Sequence, residues 1–211
     1  NPDLILPPPH SFQKQYAAQY LGNVYTIGPC YRREPKARLN SNLFYQIEIE
    51  VKDSNLHQTQ QLALDYFRFV EGAFCSDFDL CRPSMFQTVN SIDLRNESEV
   101  SMTPAEFDRW SRELSVTDPG WLNYTPQTVG PKLNKSIGNG FSAGFDLILS
   151  GNYGEIMSGG LRDKDEMKAF FDGDESIDTS LETSGFGIGL DRLIHLLLEA
   201  DSLEEIKVPY N

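Results

Sequence analysis

Apolar positions recur along this chain with two periods, and the switches between them mark its elements. Val24 to Arg32 and Phe44 to Lys52 are rich in β-branched and aromatic residues and flank the polar stretch Arg33 to Leu43. They predict two strands of an antiparallel hairpin. In the second run Gln46, Glu48 and Glu50 share one face, and Ile47, Ile49 and Val51 share the other. Period-2 alternation does not say which face meets the interior, so the choice stays open. Helical spacing runs from Leu56 to Phe74, where Leu62, Leu64, Phe67, Phe69 and Val70 supply an apolar stripe. Ser11 to Tyr20 predicts a helix capped by Ser11. Ser101 to Leu114 predicts another, announced by Thr103-Pro104-Ala105-Glu106: a cap, a first-turn Pro and an acid.

From Ser115 to Ser142 Gly, Pro and Asn dominate, which predicts a long ordered loop. Ala143 to Ser150 and a run through Glu155 to Ser158 predict two strands around a turn at Gly151-Asn152. A helix over Arg162 to Phe171 and an acidic stretch lead into S-G-F-G-I-G-L-D-R-L-I-H-L-L-L, Ser184 to Leu198. There Gly185, Gly187 and Gly189 take alternate positions of a strand. One face then lacks Cβ atoms, and another backbone or a flat ligand can lie against it. An apolar helix follows with Asp191 and Arg192 in its first turn. A cation is unfavourable at a helix N-terminus, so an arginine kept there suits an anion, and its fork matches phosphate oxygens. A plain strand-to-helix junction with a solvated arginine is the other reading. Strands, helices and strands again make an α+β fold, an antiparallel β-sheet flanked by helices on one side.

Composition narrows the classes. With 211 residues and 39% hydrophobic content the chain supports one sizeable core, hence a single domain over residues 1–211. The Pro-rich start, Asn1 to Pro9, reads as the inside of a longer protein. No apolar run reaches membrane-spanning length, so no membrane partner is expected. Cys30, Cys75 and Cys81 lack metal-ligand spacing, and His10, His57 and His195 are scattered. Reduced thiols in a cytoplasmic protein, without zinc, are the simplest reading. A net charge of −13 argues against broad nucleic-acid binding but leaves room for a local basic loop.

Three charged groups need one explanation. Tyr31-Arg32-Arg33-Glu34 ends a predicted strand and precedes a loop with Lys36 and Arg38, then Phe44. Asp146 and Glu155 stand on adjacent predicted strands, with Ser158 further on, and Arg192 is the third. Such residues would balance one another as a structural network. They would equally make an ATP site, with arginines for phosphates, carboxylates for magnesium and a flat ring for adenine.

The order and spacing of these segments resemble the catalytic domain of class II aminoacyl-tRNA synthetases, in particular the aspartate/asparagine group. Tyr31-Arg32-Arg33-Glu34 through Glu50 is similar to that group's motif 2, and Gly185 to Leu198 to its motif 3. Gly154 to Arg162, G-E-I-M-S-G-G-L-R, resembles the glutamate-to-arginine segment, and Pro9 to Gln15 is a weaker match to a segment ending in Tyr-Lys-Gln. The resemblance implies that Arg32 binds the α-phosphate of ATP and Arg192 the γ-phosphate, as the two catalytic residues. It implies that Glu34 accepts from the adenine amino group, that Phe44 stacks on the ring, and that Gln46 lines the nucleotide pocket. Asp146, Glu155 and Ser158 would hold Mg2+. Lys14, Glu48, Arg162 and Ser11 would form the amino-acid subsite, with Arg162 and Lys14 facing the substrate's side chain. Two positive charges there would favour aspartate over a neutral amide. The implied reaction is in-line attack of an amino-acid carboxylate on the α-phosphorus, giving an aminoacyl-adenylate and pyrophosphate.

Departures from the group's pattern are also legible. Motif 1, which builds the class II dimer interface, has no match and would precede Asn1, so a homodimer is expected through that region. No anticodon-binding domain is matched. Leu43 stands where an acid usually precedes the phenylalanine, and Asn40-Ser41-Asn42 replaces a more basic or proline-containing stretch. Thr183 stands where a histidine near the substrate is common, and the ending V-P-Y-N differs as well. Kept ATP residues and altered tRNA-facing ones imply a stand-alone paralogue that passes an aspartate-like adenylate to a small acceptor such as ammonia, as archaeal asparagine synthetase does. The alternatives are the catalytic domain of a genuine aspartyl- or asparaginyl-tRNA synthetase, with tRNA as a partner, and an inactive ATP- or amino-acid-binding paralogue.

Overall fold

In chain order the elements are α1 (Ser11–Leu21), β1 (Val24–Tyr31), β2 (Leu43–Lys52), α2 (Leu56–Asp77), β3 (Asn90–Asp93), α3 (Leu94–Glu97), α4 (Pro104–Leu114) and β4 (Gly120–Asn123). After these come β5 (Ser136–Gly138), β6 (Phe141–Ser142), β7 (Gly144–Leu149), β8 (Gly154–Leu161), α5 (Lys164–Phe170), β9 (Thr183–Gly189) and α6 (Leu190–Leu198). The computed structural model describes residues 11–31, 43–80, 82–97, 102–114, 119–149, 153–171, 181–200 and 205. Seven strands form one sheet in the order β1-β2-β9-β8-β7-β4-β3, and every neighbouring pair is antiparallel except β3 with β4. The edge strand β1 carries Pro29, whose missing N–H an edge tolerates. The α+β class, with a mainly antiparallel sheet and flanking helices, is the one expected.

The two faces of the sheet differ in chemistry. Ala63, Leu64 and Phe67 of α2 and Leu193, Leu196 and Leu197 of α6 pack on one of them. Phe145, Leu147, Met157, Phe186 and Ile188 meet them from the strands, and Ile49 packs against the cluster. This settles the face of β2: its isoleucines point to the helices, and Gln46, Glu48 and Glu50 point the other way. On that second face one row runs across five strands. Glu48 lies opposite Gly187, Gly187 opposite Ser158, Ser158 opposite Asp146, and Asp146 opposite Leu122. Helices reach this face too, so they flank both sides rather than one. At one margin Lys14 of α1 meets Glu48. At the other, Phe107 of α4 packs with Leu122 and Ile148. The centre between them is the polar site.

Local signals read from the sequence explain several ends. Thr103 and Glu106 form the expected reciprocal cap, the Thr103 N–H donating to Glu106 at 2.8 Å and the Glu106 N–H to the Thr103 hydroxyl at 3.3 Å. Asn55 and Gln58 cap α2 in the same way, and that helix runs on to Asp77, beyond the expected Phe74. Two expectations are corrected. The expected loop from Ser115 to Ser142 contains β4, all four of whose residues are buried between β3 and β7, and the small β5–β6 ribbon. Arg162 lies outside the helix expected to begin with it: Asp163 caps α5, accepting from the N–H groups of Asp165 and Glu166.

Glycine has a packing role at one position in the middle of the sheet. A Cβ on Gly159 would stand 2.6 Å from the Gly185 carbonyl oxygen and 2.6 Å from the Phe145 ring, whereas one on Gly28 would meet nothing within 4 Å. Gly159→Ala is therefore expected to destabilise by about 2–3 kcal/mol, and Gly28→Ala to stay within about 0.5 kcal/mol. Urea unfolding of both variants checks this, and equal stabilities would contradict the packing.

Candidate active site

The site is organised by two ion pairs between the first helix, strand β2 and the end of β8. Lys14 Nζ sits 2.5 Å from Glu48 Oε2. Arg162 donates from Nε and Nη2 to both oxygens of Glu50, at 3.0–3.2 Å, with Glu50 fully buried and Arg162 8% exposed. Its Nη1 donates to Asn134 Oδ1 at 3.1 Å, and Asn134 Nδ2 donates in turn to the Gly159 carbonyl at 3.4 Å. Backbone pairing brings Asn134 here: the N–H of Lys135 donates to the Leu161 carbonyl and that of Asp163 to the Leu133 carbonyl, both at 2.8 Å. A side-on glutamate–arginine contact of this kind is strong and directional. Burial lowers the Lys14 ammonium from its ordinary pKa, and Glu48 opposes that shift.

The alternate glycines of β9 make room for these side chains. A Cβ on Gly185 would fall 2.2 Å from Glu50 Oε2 and 2.6 Å from Arg162 Nη2, and one on Gly187 would fall 2.1 Å from Gln46 Nε2. The Cβ-free face thus carries the chain's own Gln46, Glu50 and Arg162. Gln46 also accepts from the Cys30 thiol at 3.3 Å. Phe44, half-buried and opposite Cys30, continues the same face of β2.

A second group lies further along the face. Asp146 and Ser158 are directly opposed on β7 and β8. Residues 155 and 158 are an odd number apart, and a regular strand would send them to opposite faces. A register shift between Leu147 and Ile148, whose partners are Met157 and Glu155, leaves Ile156 as the extra residue and returns Glu155 to the face of Ser158. Burial raises the Asp146 carboxyl well above its ordinary range, the nearby Glu155 raises it further, and a hydrogen bond from Ser158 opposes both. Arg192, in the first turn of α6, donates to the backbone carbonyl of Glu155. A cavity of about 300 Å3 opens here, lined by Asp146, Glu155, Ser158, Ser111 and Thr125 among others.

Two carboxylates and a hydroxyl are hard oxygen donors, and a carboxylate pair that resists shared ionisation is relieved by a divalent cation, so the donor set fits magnesium. Millimolar Mg2+ is expected to raise the melting temperature of the protein and to leave Asp146→Asn unmoved. Equal shifts in both would contradict the assignment.

The structure thus gathers Lys14, Glu48 and Arg162 at one end and Asp146, Glu155, Ser158 and Arg192 at the other, with Phe44 and Gln46 on the same face. Ser11 is buried one turn before Lys14 on α1. Arg32 and Glu34 lie outside the described residues, as do Lys36 and Arg38. Sequence reasoning left Glu50 and Asn134 out of the site. The parity of Glu50 with Gln46 and Glu48 was a signal for the first, whereas Asn134 has none in its own neighbourhood. The expectation of two uncompensated cations is overturned, because each has a carboxylate at contact distance. Removing Glu50 would strand a buried charge, so Glu50→Ala is expected to destabilise by about 3–5 kcal/mol, and Glu50→Leu/Arg162→Leu by less than Glu50→Leu alone. Denaturant unfolding of the cycle decides, and additive losses would contradict a coupled pair.

The fold is that of a class II aminoacyl-tRNA synthetase-like catalytic domain. A family model for tRNA synthetases class II (D, K and N) matches residues 6–208, and the chain belongs to that family. No curated protein matches the chain. Among solved structures it is similar to asparaginyl-tRNA synthetase from Pyrococcus horikoshii complexed with asparaginyl-adenylate, with a TM-score of 0.70 and 18% identity over 92% of this chain and 53% of that one. Aspartyl-tRNA synthetase from Entamoeba histolytica gives 0.71 and 18%, over 95% and 50%. Asparaginyl-tRNA synthetase from the same organism, in complex with asparaginyl-adenylate, gives 0.65 and 14%, over 94% and 55%. At such identities the likeness is one of fold, and the chain spans about half the length of these proteins. No helix among the described residues is long and apolar enough to cross a membrane.

Proposed function

We propose that this chain activates an amino acid of the aspartate/asparagine type with ATP, forming an aminoacyl-adenylate and releasing pyrophosphate. One observation carries the reading: a single face of the sheet holds the Asp146/Glu155 pair with Arg192 at one end and the Lys14–Glu48 and Glu50–Arg162 pairs at the other. A triphosphate and an amino acid would meet between them. The adenylates bound in two of the similar structures support the same chemistry.

In the proposed step an oxygen of the amino acid's carboxylate forms a bond to the α-phosphorus. The bond from that phosphorus to the bridging oxygen of the β-phosphate breaks, and pyrophosphate leaves with the electron pair. Positioning and charge stabilisation suffice, without a protein nucleophile. Arg32 would hold the α-phosphate and Arg192 the γ-phosphate against the developing charge. Asp146, Glu155 and Ser158 would hold magnesium, which neutralises phosphate oxygens when bound. Phe44, Glu34 and Gln46 would hold the base, while Lys14, Glu48, Arg162 and Ser11 would hold the amino acid.

The expected preference for aspartate over a neutral amide drew on excess positive charge beside the substrate's side chain, and the paired cations remove that support. For the acyl acceptor, Asn40-Ser41-Asn42 and Leu43 support a small nucleophile over a tRNA. Exchange of labelled pyrophosphate into ATP, dependent on an amino acid of this type, is the expected activity. Arg192→Ala should lower it by about 100-fold or more. Absence of exchange with aspartate, asparagine and their analogues would overturn the reading.

A further inference from the structure

The cavity beside Asp146 and Glu155 is larger than a metal ion needs. Its volume of about 300 Å3 is several times the ~30 Å3 that one water takes in the liquid. Asp146, Glu155 and Ser158 make its sheet side, and α4 with the loop after β4 makes the other, through Phe107, Asp108, Ser111, Thr125, Val129 and Pro131. Phe107 packs with Ile148, which holds α4 over the sheet. The hydroxyls and loop amides of this wall spend their protons inside the protein. Ser111 donates to the Asp108 carbonyl at 3.0 Å, and Ser158 donates to Asp146. Ser142 gives its one proton to the Thr125 carbonyl at 3.1 Å, so Thr125 is the donor in the hydroxyl pair the two form, also at 3.1 Å. The N–H groups of Val129 and Gly130 both donate to the Pro126 carbonyl, that of Phe107 donates to the Thr103 carbonyl, and Pro131 has none. These groups can offer the cavity only oxygen lone pairs, beside the carboxylates of Asp108, Asp146 and Glu155. None of the described residues lining it is Lys, Arg or His. Three carboxylates against one divalent cation leave a negative charge, and the apolar surfaces of Phe107, Val129 and Pro131 give a metal's waters no partners.

We propose that the α4 side of this cavity binds a small primary amine in its ammonium form, with an apolar carbon skeleton, and that this amine is the acceptor of the activated acyl group. The acceptor role rests on the reading of the site as one that forms an aminoacyl-adenylate; the binding of the amine does not. A primary ammonium has three N–H donors and one positive charge, which matches the Asp108 carboxylate with the Ser111 and Thr125 oxygens. Its carbon chain meets Phe107 and Val129, walls that free ammonia would leave unfilled. In the transfer the ammonium first gives a proton to Asp108, which is exposed and passes it to solvent. The nitrogen lone pair then bonds to the acyl carbonyl carbon. The bond from that carbon to the phosphate oxygen of the adenylate breaks, and AMP leaves with the electron pair. The nitrogen sheds a second proton to solvent as the amide forms.

Calorimetric titration of the whole protein in Mg2+ with n-butylamine and with 1-butanol, its uncharged counterpart, tests the site. The amine is expected to bind at least about tenfold more tightly than the alcohol. Asp108→Asn, at an exposed position, should weaken the amine by about tenfold and leave the alcohol unmoved. With ATP and aspartate or asparagine added, butylamine should yield AMP and the N-butyl amide of the amino acid's α-carboxyl group, read by mass spectrometry. Equal affinity for amine and alcohol overturns the proposal. So does unchanged amine affinity in folded Asp108→Asn, or pyrophosphate exchange with the amine bound and no amide formed. Amine bound without pyrophosphate exchange upholds the site and overturns the activating reading, and the acceptor role with it.

Discussion

Glu50 and Arg162 meet in the middle of the molecule, on a sheet whose neighbouring strands have been cleared of side chains to let them. The row that passes under them is Glu50, Gly185, Gly160 and Gly144, one residue from each of four adjacent strands. A buried arginine without its carboxylate would cost several kcal/mol, about 3–5 by analogy with broken buried pairs. The pair therefore constrains the sequence around it: the glycines must stay small, β2 and β9 must hold their register, and Asn134 must remain over Gly160.

The other end of the face depends on a backbone irregularity. Asp146 is a buried carboxylate beside a second acid, an arrangement that is unfavourable by itself and is eased by a cation or a shared proton. The register shift around Ile156 brings Glu155 to that position, and the hydrogen bond from Arg192 to the Glu155 carbonyl ties the start of α6 to it. The two acids, Ser158 and Arg192 are thereby fixed by strands and a helix end rather than by loops, which would suit the proposed reaction, one that proceeds by positioning and charge stabilisation.

Much of this was legible before any coordinates. The β1–β2 hairpin, the glutamate face of β2, the glycine row of β9 and the Thr103–Glu106 cap all follow from local rules. So does the gathering of Lys14, Glu48 and Arg162, given the family resemblance. What escaped has a common cause in long-range register. Gly120 to Asn123 is too short to show alternation among its Pro, Gly and Asn neighbours, and it is a strand because β3 and β7 pair with it on either side. Arg162 read as an uncompensated cation because nothing local links residue 162 to residue 50; their meeting requires β2, β9 and β8 to lie side by side. Asn134 comes from a segment with no periodic signal, carried to Arg162 by backbone pairing with the end of β8.

The most direct test of the central claim, that one face activates an amino acid between its two charged ends, is a crystal structure with a sulfamoyl analogue of asparaginyl-adenylate. The expected result places the adenosine over Phe44 and the carboxamide against Arg162, with the Glu50–Arg162 and Asn134–Arg162 contacts unbroken. An analogue bound away from this face, or an Arg162 that leaves Glu50 to reach it, would contradict the claim.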